Sequence, residues 1–114
     1  MLLLSTTTLP CGLRVRLRVP RSADRQGLEE LALRVGVELD ELTLCPLLRT
    51  DPRRGRAACA TTWLGTREVL VGAAVIDNAV PAPAQIVVAD EALAPGVGRL
   101  LAEALDEWAR NRAA

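Results

Sequence analysis

The 114-residue chain contains no histidine, no tyrosine, no phenylalanine and no lysine. Each absence removes a chemistry. Without histidine there is no histidine-based catalytic triad and no imidazole ligand for a metal. Without lysine there is no Schiff-base chemistry on the protein and no P-loop lysine. Without tyrosine there is no phenolic acid. Two tryptophans are the only aromatic residues, too few for the stacking platforms that hold single-stranded nucleic acid. The 14 basic residues, all arginine, balance 14 acids, so the basic excess of a nucleic-acid binder is missing too. Arginine in place of lysine, with abundant Ala, Leu, Val and Gly, reads as a coding bias rather than a functional signal.

Cysteine is also sparse. Cys11, Cys45 and Cys59 are far apart and form no C-x-x-C pair, which argues against a zinc site or a redox motif. They read as small apolar residues in a reduced, cytoplasmic setting. Cys45 or Cys59 as a nucleophile is the alternative, one that has no histidine to activate it. No apolar run approaches the roughly 20 residues of a membrane helix. Met1–Leu4 is too short for a signal peptide, and residues 1–12 read as a loose leader ahead of a single domain over 13–114.

What is present is patterned. Leu13, Val15, Leu17 and Val19 alternate with Arg14, Arg16 and Arg18, the period of a strand with one buried face. Ser22 is a helix N-cap and Asp24 sits in the first turn, where the helix dipole favours an anion. Leu28, Leu31, Ala32 and Val35 then form a helical stripe that stops at Gly36. Residues 37–50 suggest a second short helix, disturbed near Pro46. Asp51–Arg56 is a turn whose Arg53, Arg54 and Arg56 are either solvated or an anion contact. Residues 57–64 and 69–76 read as a hairpin with a connection longer than two residues. Ile86-Val87-Val88 is apolar on both faces, as suits the middle of a sheet. Val97, Leu100, Leu101, Ala104, Leu105 and Trp108 stripe a helix over 99–112, with Asp106 and Arg110 as an i, i+4 pair on its exposed side.

Between that last strand and helix lies Gly96-Val97-Gly98-Arg99. The first amides of a helix lack intrahelical partners, and the dipole adds positive charge there. Glycines let a phosphate approach the backbone. This stretch is either a pyrophosphate cradle or a purely structural turn. It is neither the dinucleotide fingerprint, because Leu101 stands where a third small residue belongs, nor a P-loop.

The ordered set resembles the GNAT superfamily of N-acetyltransferases. It comprises an Arg-rich first strand, the helix entered at Ala23-Asp24, the hairpin strand Val71–Val75, then Val87-Val88-Ala89-Asp90 and Gly96-Val97-Gly98-Arg99-Leu100-Leu101. The resemblance covers roughly residues 13–112. It implies a mixed α+β, three-layer fold, with a mostly antiparallel sheet and helices on both faces, lacking the family's usual C-terminal strands. It implies acetyl-CoA as cosubstrate, with the pantetheine arm along Val87, Val88 and Ala89. The pyrophosphate would then lie on the amides of Ala94, Gly96, Val97, Gly98 and Arg99. Leu93 stands where the family carries a polar Gln or Arg, and Pro95 removes one amide. The acceptor would be a small-molecule or protein amine. Asp77, Asp90 and the more distant Glu68 are the candidate bases, with no catalytic residue assigned and no metal expected. A catalytically degenerate binding or interaction module of the same fold is the alternative. An α+β domain with a coincidental glycine turn is a third reading. The open edge at strand 85–89 predicts a homodimer or a partner chain there.

Overall fold

The computed structural model describes residues 5–38, 55–77 and 84–113. Five strands form one sheet in the order β1 (Ser5–Thr8), β2 (Arg14–Arg18), β3 (Gly55–Leu64), β4 (Arg67–Asp77) and β5 (Ala84–Ala89). Every neighbouring pair is antiparallel. Helix α1 (Arg25–Val35) follows a single 3-10 turn at Ser22–Asp24, and α2 (Val97–Ala113) closes the described chain. The fold is thus a mixed α+β one. No helix among the described residues is long and apolar enough to cross a membrane.

The two helices lie on opposite faces, and strand alternation explains how. Ala57 and Cys59 of β3 join Leu28 and Leu31 of α1 in one buried cluster. Ala58 and Ala60 join Val97, Leu101, Ala104 and Leu105 of α2 in the other. One extra residue, Val71, sits in β4 opposite the Ala60–Thr61 step. This bulge shifts the alternation, so Val71 and Ala74 face α2 while Leu70, Ala73 and Val75 face α1. The central strands are rich in Ala and Gly, so the helices approach closely. A β-carbon at Gly72 would lie 2.7 Å from Leu101 Cδ1 and 3.3 Å from Val97 Cγ2.

Helix α1 ends as its sequence predicts. Gly36 takes the left-handed conformation with φ 74°, and the Val37 amide donates back to Ala32 O at 2.9 Å. Other expectations are corrected. Residues 5–12 are not a loose leader: β1 pairs with β2 from Ser5↔Leu17 to Thr8↔Arg14, and Leu9 is buried in the α2-side core. Threonine-rich sequence suits an edge strand, and Leu9 anchors it. Val19 lies past the end of β2 and is exposed, whereas Arg18 is only 7 % exposed. The hairpin loop is the tight two-residue type, Gly65-Thr66, because Leu64 pairs directly with Arg67. Among the described residues β5 ends the sheet rather than lying in its middle. Val88 is buried and Ile86 packs on the α1 side, while Val87 on the other face stays exposed, so the strand is covered on one face at these positions. Helix α2 begins at Val97, the first residue of its stripe and two residues before the expected start at 99. The expected helix within 37–50, apart from Val37 and Glu38, lies outside the described residues, as do Cys45, Arg53 and Arg54.

Candidate functional site

Strand β5 delivers the chain to Asp90, which fixes the loop beyond it. The Asp90 amide donates to Val71 O at 2.8 Å, continuing the sheet by one bond. Its carboxylate accepts from Arg34 Nε at 2.9 Å and from the Leu93 amide at 3.1 Å. Burial alone would raise the pKa of Asp90, but the Arg34 guanidinium and the Leu93 amide outweigh it and hold the acid below its ordinary value. Asp90 is therefore held as an ion-paired, hydrogen-bonded anion at the strand end, an arrangement that disfavours it as a base. The side chain of Asp77 lies outside the described residues.

The loop then turns onto α2. The Ala94 amide donates to Asp90 O at 2.9 Å and the Val97 amide to Ala94 O at 3.1 Å, so two of the five expected anion-binding amides are spent inside the turn. The turn needs φ 93° at Gly96, a conformation that glycine adopts without strain. At Gly98 an added β-carbon would come within 3.2 Å of the Ala89 side chain, so glycine here lets α2 start close against β5. Gly96 and Gly98 do point their amides at one anion, and that anion is internal. The Gly96 amide donates to Glu91 Oε1 at 3.3 Å, and the Gly98 amide donates to Glu91 Oε2 at 3.1 Å.

Glu91 was not singled out in the sequence. Its signal is an acid following a strand and a few residues ahead of a helix start, where the dipole favours negative charge. Arg99 does not turn toward the loop: its exposed guanidinium pairs with Glu103 at 3.0 Å along the helix. Of the strand positions, Val87 is exposed, Val88 is buried among the α1-side residues and Ala89 is half-buried beside Gly98.

Cys59 lies at the centre of the α1-side core. Burial pushes its thiol up to about 12, so at neutral pH it is an un-ionised core residue and not a nucleophile. Cys11 is exposed in the β1–β2 turn.

A second feature lies on the α1 face, a cavity of about 450 Å³ between α1, the β3–β4 hairpin and Leu93. Its floor holds a buried ion pair. Arg18 Nη1 and Nη2 each donate to one oxygen of Asp24 at 2.7 Å, and the Arg21 amide donates to the same carboxylate at 2.6 Å. The bonds to Arg18 hold Asp24 below its ordinary pKa against the effect of burial, and Asp24 in turn raises Arg18. Glu68 stands beside this pair. It accepts from the Thr61 hydroxyl at 3.2 Å and lies 3.5 Å from Arg18 Nη2. Of the candidate bases, Glu68 lines this cavity, which is separate from the β5–α2 turn.

Comparison of the chain with protein-family models, with curated proteins and with solved structures found no match.

Proposed function

We propose that this chain is an N-acetyltransferase-type domain of the GNAT kind, which binds acetyl-CoA and transfers its acetyl group to an amine. The observation that carries the reading is the junction of β5 and α2. The outer edge of β5 is unpaired among the described residues, and it leads directly into a turn whose Gly96 and Gly98 amides converge on one carboxylate. A free strand edge offers amides and carbonyls to the two amide groups of a pantetheine arm. The turn holds an oxyanion, which is the chemistry of the pyrophosphate. The antiparallel sheet with one helix on each face and the glycine turn after the last strand further support this reading.

The transfer forms a nitrogen–carbon bond and breaks the carbon–sulfur bond; the amine loses a proton and the thiolate gains one. Asp90 and Cys59 are unsuited to either proton step, for the reasons of charge pairing and burial given above. Glu91 stands in for a phosphate oxygen at the turn, so pyrophosphate must displace it.

That resident carboxylate favours a second reading, a domain of this fold that binds a partner and does not catalyse. The exposed Leu93 and Pro95 in the same loop agree with it. The open β5 edge suits an added strand from a second copy or a partner chain. Such a strand and a pantetheine arm would compete for the same backbone groups.

Titration calorimetry with acetyl-CoA separates the readings. Saturable heat together with turnover on an amine panel supports the transferase. Saturable heat without turnover supports the non-catalytic module. No heat and no thermal shift at millimolar ligand sinks the acetyl-CoA reading. A dimer mass by light scattering that falls on adding acetyl-CoA would place both events on one edge.

A further inference from the structure

We propose that the cavity between α1 and the β3–β4 hairpin binds a small organic monocation, an alkylammonium with an apolar body, through the Glu68 carboxylate. Arg18, Arg34 and Arg67 line this cavity together with Asp24, Glu30 and Glu68. Arg18 is committed to Asp24 at 2.7 Å, Arg34 to Asp90 at 2.9 Å and Arg67 to Glu30 at 3.0 Å. Glu68 only shares a guanidinium, through its 3.5 Å ion pair with Arg18. Its 3.5 Å approach to Arg18 is to a nitrogen already donating to Asp24, and the Thr61 hydroxyl supplies a single further bond. A carboxylate has room for about four hydrogen bonds, so Glu68 keeps acceptor capacity for an ammonium group.

The walls fit the rest of such a ligand. Leu64, Val69, Leu70 and Leu93 line the cavity, and its size is within the range of small-molecule sites. An anionic ligand is disfavoured, because Arg18, Arg34 and Arg67 each already pair with a carboxylate and Glu68 and Glu30 would repel it. The site concerns binding by the chain alone and does not depend on acetyl transfer.

The test uses the full chain without acetyl-CoA and follows amide chemical shifts while phenethylamine is added. Saturable shifts at Thr61, Glu68 and Leu70 are expected, with binding at least about tenfold tighter than that of the neutral 2-phenylethanol. Glu68→Gln is expected to lower phenethylamine affinity by about tenfold or more with an unchanged melting temperature. If that variant melts early, the comparison of phenethylamine, 2-phenylethanol and 3-phenylpropionate on the unaltered protein decides alone. Three results overturn the proposal: no saturable shift at millimolar amine, equal or tighter binding of 3-phenylpropionate, or shifts confined to the β5–α2 loop.

Discussion

The carboxylate of Glu91 sits against the first turn of α2, with Oε2 3.1 Å from the amide nitrogen of Gly98 and Oε1 3.3 Å from that of Gly96. The residue that blocks this oxyanion position also demonstrates it, because the amides already hold two oxygens of one planar group.

Replacing Glu91 therefore separates stability from binding. Glu91→Gln removes a negative charge beside a helix N-terminus, which costs about 0.3–1 kcal/mol of stability. The same change weakens the internal competitor for the two amides. A several-fold gain in affinity for acetyl-CoA is expected by calorimetry, alongside a small drop in melting temperature. Unchanged affinity with the same stability loss would mean that Glu91 is only a helix cap.

Asp24 and Asp90 dictate how the protein responds to acid. Both carboxylates have folded pKa values below the ordinary 3.8. At neutral pH each is ionised in the folded and the unfolded chain, and its contribution to stability is complete. As pH falls through about 4, the unfolded chain takes up protons first. Stability is then lost progressively down through the lower folded values. Asp24→Asn and Asp90→Asn should each flatten the acid limb of stability against pH, measured by urea unfolding between about pH 6 and 2.

Breaking the buried pair is more severe. Asp24→Ala leaves the Arg18 guanidinium buried without its partner, a change that typically costs about 3–5 kcal/mol. Arg18→Met combined with Asp24→Ala should recover much of that loss, because the lone charge is gone. Denaturant unfolding of the three variants tests this, and a double variant no better than Asp24→Ala would contradict it.

Gly72 tests the packing of α2. A β-carbon there meets Leu101 Cδ1 at 2.7 Å and Val97 Cγ2 at 3.3 Å, and Leu101 is fully buried with little room to move. Gly72→Ala is expected to destabilise by about 1–3 kcal/mol through overpacking. Leu101→Val made with it should return part of that loss, and a chemical melt of the pair in a double-mutant cycle measures the coupling. Additive losses would mean that the two side chains do not meet.

Much of this architecture was legible because it rests on local periodicity. The stripe Leu28, Leu31, Ala32 and the stop at Gly36 mark α1 without reference to anything distant. Val15 and Leu17 face the α2-side core as their alternation predicts. Arg18 misled for a physical reason. Alternation puts it on the polar face of β2, but in a sheet covered on both sides that face is also interior wherever the chain before α1 crosses it. Asp24 then supplies the charge that makes burial tolerable. The role of Glu91 and the place of Glu68 depend on where a turn and a hairpin end meet other elements, contacts that no short window of sequence contains. The glycines of the turn were visible; the anion that fills it was not.

The cysteines offer a chemical check on the core. Cys59 has every reason to be inert: it is fully buried, and its thiol is pushed up to about 12. At pH 8 it therefore stays almost wholly protonated, and the thiolate is the form that attacks disulfide reagents and alkylators. Cys11 lies exposed in the β1–β2 turn, with solvent access that Cys59 lacks. Iodoacetamide labelling at pH 8, mapped by mass spectrometry, should modify Cys11 within minutes and Cys59 only as the protein unfolds. The rate at Cys59 should follow urea concentration in parallel with global unfolding, because the residue lies between α1 and the central strands. Rapid labelling of Cys59 in the absence of denaturant would require α1 to lift from the sheet on its own, and the α1-side core would then be a separately opening layer.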